Sequence, residues 1–329
     1  MKRIVAVLCA LVMCMGVFTG CGSLSAGSGK SGKIKVVCTT FPQYDWAQQI
    51  IGEHTDRFDV KFLTDNGVDM HSYQPSTADI AAIASCDILI YVGGESDKWV
   101  ENALKEAVNK DMAVVNMMEV LEDFIKEEEI VEGMQSGEDD HEEHDHEEEI
   151  EYDEHVWLSV RNAEAVVEKL TEVFSEKDKE HATDIQKNAE SYVAQLKQLD
   201  LQYREVVNTA KKDTVLFGDR FPFRYLIDDY QLNYYAAFAG CSSETNASFE
   251  TVVFLSDKMD ELGLNSILVI ENSDQQVAKT IIENTKKKNA EILILDSMQS
   301  VTEKDIAGGY TYLSSMQNNL EVLKKALNS

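Results

Sequence analysis

Residues 179–211 read "KEHATDIQKNAESYVAQLKQLDLQYREVVNTAK". Within them Ile185, Ala189, Tyr192, Leu196, Leu199, Tyr203, Val206 and Ala210 recur at alternating steps of four and three, with no glycine or proline between. That spacing lays the apolar side chains along one face of a continuous α-helix. Over the whole stretch such a helix spans roughly 50 Å, more than one small lobe can cover. The reading is a spine joining two lobes. A single unbroken helix resists hinge bending, so little closure of one lobe on the other is expected.

Outward from the spine, both flanks alternate short β-branched runs with helical periodicity. Before it, 33–40, 57–63, 86–93 and 112–117 read as strands, with helices at 76–85, where Ser76 can cap, and 99–108. After it, 213–218, 232–238, 265–271 and 290–295 read as strands, with helices at 248–262, 274–287 and 312–327. Strands that alternate with helices call for mostly parallel sheets. The fold class expected is therefore α/β, two Rossmann-like lobes joined by one long rigid α-helix. With 329 residues the chain is long enough for two cores. The division read is a front lobe over 33–178, the spine over 179–212 and a rear lobe over 213–329.

The first residues, "MKRIVAVLCALVMCMGVFTGCGSLSAGSGKSGK", carry two basic residues, an apolar run too short to span a bilayer, and small residues immediately before Cys21. This resembles the lipobox of bacterial lipoproteins. It implies a signal peptide over 1–20, lipid on the Cys21 thiol, a flexible leash over 21–32, and a protein tethered to the cell membrane on its extracytoplasmic face. The remaining mature cysteines, Cys38, Cys86 and Cys241, are odd in number and sit among apolar or small residues. They read as buried small hydrophobes with no disulfide. A formal charge of −29 argues against nucleic acid or anionic lipid as partners and favours cations.

No lysine or arginine falls between Lys126 and Arg161, and residues 138–154 hold twelve Asp/Glu in seventeen positions. That is too much repulsion and too little apolar surface to fold, so a mobile loop over 133–152 is expected. It carries His141, His144 and His146 at intervals of three and two. Neutral imidazoles suit zinc, whereas manganese and calcium prefer oxygen, and the three read as a weak, exchanging collector of metal. His155 follows where the chain turns from charged to apolar. It should be fixed, with Asp153 and Glu154 as carboxylates able to orient its ring and Ser159 able to cap the next helix. His71 lies in the loop after a strand, where open parallel sheets place ligands. His54 and His181 read as solvated, and Glu244 and Glu271 as loop carboxylates with only a weak claim on a metal.

Two segments carry a family resemblance. "NGVDMHSYQPSTADIAAIASCDILIYVGG" (66–94) and "DEHVWLSVRNA" (153–163) are similar to motifs of the metal-specific solute-binding proteins of ABC importers, the zinc- and manganese-binding ZnuA/TroA-like lipoproteins. The spine, "LILDS" (293–297) and the closing pattern Tyr312, Met316, Asn319, Leu323, Leu327 extend it from Lys33 to the end. The resemblance implies four ligands, two per lobe, around one metal in the interlobe cleft. His71, His155 and Asp296 carry over. At the remaining position, where the family has histidine or glutamate, "FGDRFPFRYL" puts Arg220, whose protonated guanidinium offers no lone pair. Either Asp219, one residue away, supplies the carboxylate, or water fills the position and Arg220 salt-bridges a neighbouring acid.

The resulting expectation is Zn²⁺ capture outside the membrane and delivery to an ABC permease, by a monomer that does no chemistry itself. His₂Asp₂ ligation would also take Mn²⁺ or Fe²⁺, and the histidine loop tips the choice to zinc. The alternatives are a zinc hydrolase with an open fourth position, against which stands the lack of an HExxH helix, and a lipid-anchored adhesin using the same pocket.

Overall fold

The computed structural model describes residues 32–135, 151–242 and 246–329. Cys21, His141, His144, His146 and Glu244 lie outside them, and with them most of the acidic loop and the amino-terminal segment.

All eight strands expected from the sequence form. β1 (Ile34–Cys38), β2 (Phe58–Phe62), β3 (Ile88–Tyr91) and β4 (Ala113–Asn116) make one parallel sheet in the order β2-β1-β3-β4. β5 (Thr214–Phe221), β6 (Asn233–Ala239), β7 (Ser266–Val269) and β8 (Glu291–Ile294) make the other, in the order β6-β5-β7-β8. β3 and β7 are buried at every position, as strands covered on both faces must be. The edge strand β2 buries Phe58 and Phe62 at its two ends, exposes Asp59 and Lys61 and leaves Val60 partly covered.

Eleven helices accompany them among the described residues: α1 (Phe41–Ile51), α2 (Thr77–Ser85), α3 (Lys98–Lys105), α4 (Met117–Val120), α5 (Val160–Lys177), α6 (Ala182–Thr209), α7 (Arg224–Asp229), α8 (Phe249–Leu262), α9 (Gln276–Asn284), α10 (Glu303–Ala307) and α11 (Tyr312–Asn328). Ser76 caps α2, Ser159 caps α5 and Ser248 caps α8, each accepting the backbone N–H three residues on. α1 has no counterpart in the sequence reading. Its start is fixed by the Gln43 side-chain carbonyl, which accepts the N–H groups of Thr39 and Thr40.

The spine α6 has 28 residues, about 42 Å. It buries Ile185, Ala189, Tyr192, Leu196, Leu199 and Tyr203 as the periodicity requires, while Val206 and Ala210 are only partly covered. It is shorter than 179–211 because His181 stands at its start and Ala210 has already left helical geometry. One polar residue of its buried face, Asp200, is matched by Arg161, Arg204 and the Tyr230 hydroxyl. Tyr203 donates to the Met316 carbonyl at 2.6 Å, tying the spine to α11.

The inner faces of both sheets share one apolar core. It runs from Trp46, Phe58 and Trp157 through Leu196 and Tyr203 to Phe217, Leu295 and Tyr312. The Trp46 and Tyr312 rings meet edge to face with centroids 5.1 Å apart, joining α1 of the front to α11 at the chain's end. Two smaller clusters lie on the outer faces, Val37, Ile83, Leu89 and Val100 in front and Leu216, Leu255, Ile267 and Ile281 behind. The loops at the carboxyl ends of the strands carry the candidate site.

Candidate metal centre

His71 sits in a single 3₁₀ turn, Met70–Ser72, after β2. The Asp69 carboxylate caps that turn by accepting His71 N–H at 3.0 Å, and its other oxygen takes the Arg220 guanidinium at 2.8 Å. His155 begins the 3₁₀ turn Val156–Leu158 and is wholly buried. Asp153 holds it twice, accepting from its backbone N–H at 2.8 Å and lying 3.0 Å from its Nδ1. Asp153 is in turn placed by the Tyr225 hydroxyl, which donates to its carbonyl.

These two turns bring the imidazoles together, with His71 Nε2 and His155 Nε2 3.1 Å apart. Each ring is held from behind. His155 Nδ1 faces the Asp153 carboxylate, and His71 Nδ1 lies 2.7 Å from Ser96 Oγ. Ser96 is set by the Glu154 carboxylate, which accepts Ser96 N–H at 2.9 Å. The loop between β3 and α3 reaches that position through Gly94, at φ +75°, where an added Cβ would meet Glu154. The second Glu154 oxygen is buried without a hydrogen-bond partner, 3.9 Å from His71 Nδ1.

The environment separates the two rings electrostatically. Burial, followed by the nearby charge of His155, pushes His71 down to about 4. Burial also disfavours the charged form of His155, but the Asp153 carboxylate outweighs it and the net shift is upward. For Asp69, Arg220 overcomes burial and holds the carboxyl below its ordinary value. The surroundings thus favour the neutral form of His71, which leaves a lone pair for a cation, while Asp153 shifts His155 the other way.

The third member of the cluster is Cys241. Among the described residues, the group of possible ligand atoms mutually within 4.8 Å around this pair is His71, His155 and Cys241. The sequence reading treated Cys241 as a buried small hydrophobe; instead its half-buried thiol faces two imidazoles. The one signal available was its place just past the carboxyl end of a parallel strand. Cys38, Cys86 and Cys241 are all unpaired.

Asp219 and Asp296 fall outside this group of three. Asp219 accepts Arg220 N–H and turns to Ser273, beside a cavity of about 400 Å³, and burial raises its pKa. Arg220, adjacent on β5, takes the direction toward the histidines and spends it on Asp69, so the Arg220–acid pairing is what forms. Asp296 is engaged elsewhere, by the Tyr310 and Ser315 hydroxyls and the Met298 N–H. Asn319 clamps its backbone from both sides. Glu271 binds Ser297 and Gln299, a structural role, with burial and the charge of Asp296 raising its pKa. His54 and His181 are not independent solvated rings: their centroids lie 4.2 Å apart with the planes tilted by 41°, and they face Asp184 and Asp178 respectively. Arg57 already compensates Asp178 and Glu180 in that second acidic group.

Gly240 lets the loop after β6 come this close. A Cβ there would lie 2.9 Å from the Phe221 carbonyl oxygen and 3.1 Å from His155 Cε1. Gly240→Ala is expected to displace the imidazole and cost about 1–3 kcal/mol of stability. Urea unfolding and zinc titration check both effects, and unchanged zinc affinity would count against the geometry described.

A parallel-sheet, two-lobe fold with two imidazoles facing each other at 3.1 Å, His155 wholly buried and His71 partly so, suits a binding protein for a small cation. Comparison with known proteins agrees. Residues 36–326 match the family model for zinc-uptake complex component A, periplasmic (ZnuA), and the chain belongs to that family. It is 30% identical over 308 residues to the zinc-binding protein AdcA of Streptococcus pyogenes, covering 89% of this chain and 56% of that one. The chain thus spans just over half the length of that streptococcal relative. To the high-affinity zinc uptake system protein ZnuA of Bacillus subtilis it is 28% identical, with 97% of each chain covered. The Zn(II)-bound ZnuA-like domain of Streptococcus pneumoniae AdcA superposes with a TM-score of 0.69 at 25% identity, over 91% of this chain and all of that domain.

Proposed function

We propose that the chain captures Zn²⁺ outside the cytoplasmic membrane and delivers it to the permease of an ABC importer. The observation that carries this reading is the pair of Nε2 atoms 3.1 Å apart, each on a ring whose Nδ1 has its own partner. If both Nδ1 atoms carry protons, both Nε2 lone pairs converge on one point. Either a shared proton or a cation must then lie near that point. Zinc is the cation that imidazole donors favour over manganese, and the names of the full-length and streptococcal relatives support it.

The same reading places lipid on Cys21, a monomer at the membrane surface, and residues 133–152 as a collector from which metal passes to the fixed site. His71 and His155 hold the cargo, and Asp153, Glu154 and Ser96 orient them. In equilibrium competition against both ions, zinc should be retained and manganese displaced. Preferential retention of manganese would overturn the assignment of the metal.

A further inference from the structure

We propose that Cys241 supplies a thiolate to the cation held by His71 and His155, making the capture site a mixed imidazole–thiolate centre. This rests on the metal-capture reading above and deepens it by naming the donor that the rear lobe contributes.

Three independent features converge on Cys241. Its sulfur belongs to the one cluster of ligand-type atoms, mutually within 4.8 Å, that contains both imidazoles among the described residues. The rear-lobe position that could have carried an imidazole is Arg220, which is tied to Asp69 and has no lone pair. β6 lies beside β5 in parallel register, with Phe221 paired to Ala239, so Cys241 emerges at the same sheet end, one strand over from Arg220. The sheet thus offers a donor on the strand next to Arg220, whose guanidinium has none to give. Gly240, with no side chain, allows the β6 loop to close on His155.

The surroundings suit a dication. Glu154 is almost wholly buried, and one of its oxygens is without a partner 3.9 Å from His71 Nδ1. Glu128 accepts the Cys241 N–H, adding a second carboxylate on the thiol's side. Buried negative charge of this kind is compensated when a cation enters and a thiol proton leaves. On binding, the S–H proton passes to solvent and the sulfur lone pair forms the metal–sulfur bond, with no change of oxidation state. The functional consequence is selectivity: a soft thiolate favours zinc over manganese more strongly than any carboxylate in its place.

The test uses the protein loaded with Co²⁺ in place of Zn²⁺, because cobalt bound to thiolate shows a sulfur-to-metal charge-transfer absorption that imidazole and carboxylate do not give. The wild type is expected to show that band, Cys86→Ser to keep it and Cys241→Ser to lose it. Zinc affinity of Cys241→Ser should fall on the order of a hundredfold. In case that variant folds poorly, alkylation of the wild type mapped to Cys241 should be slowed by stoichiometric zinc. Tight metal binding with no charge-transfer band, and Cys241 alkylation indifferent to zinc, would overturn the thiolate ligand and leave capture by the histidines standing. Failure of the wild type to bind zinc tightly would overturn both.

Discussion

Replacing His155 by alanine is expected to abolish tight zinc binding, by about a hundredfold to a thousandfold. A zinc-site binding energy of about 10–16 kcal/mol, divided over the four positions of a tetrahedral zinc, gives that scale for the loss of one donor. The side chain is wholly buried and its Nε2 faces His71 Nε2, so no solvent-side group can move into its place without repacking. Isothermal titration with zinc reads the effect, and far-ultraviolet circular dichroism checks that the fold persists. The companion variant, with His141, His144 and His146 all changed to alanine, should keep the tight site. If the triple variant loses it while His155→Ala keeps it, the division between a collecting loop and a fixed ligand is wrong.

Trp157→Ala is expected to have the largest effect on stability. The indole is 1% exposed, packs edge to face on His155 with centroids 5.3 Å apart, and donates Nε1–H to the Ser297 carbonyl at 2.9 Å. Its own carbonyl accepts the Tyr312 hydroxyl at 2.7 Å. Truncation removes a large side chain from the shared core and orphans a buried carbonyl of the rear lobe, a loss of about 3–5 kcal/mol. Urea unfolding measures it. A loss under about 1 kcal/mol would mean that the two lobes are not joined through this residue.

Much of the fold was legible because parallel strands covered on both faces leave uninterrupted apolar runs, such as 88–91 and 267–270, that little else in a chain produces. The spine was legible for a related reason: it must bury one face along its whole length, so its period survives from Ile185 to Tyr203. Helix α1 was missed although Thr40 and Gln43 have the spacing of a capping pair. Its faces are so fully buried, from Phe41 to Ile51, that the amphipathic contrast is weak.

The site was legible only in part. His71 and His155 stand in local contexts that announce them, a loop after a strand and a turn from charge to apolarity. The rear lobe's contribution depends on sheet adjacency, which no local pattern encodes. Cys241 reaches the histidines because β6 pairs with β5. Asp219 points away because β5 continues past residue 218 to Phe221, with a shift of register between Phe217 and Arg220. Asp296 is turned by hydroxyls 14 and 19 residues further along the chain.

The apolar core common to both lobes leaves no seam along which they could swing apart. Swinging one lobe away from the other would have to break that core. On the proposed function, a permease that tells a loaded from an unloaded molecule would read the turns where the Asp69–Arg220 pair meets the His71 turn.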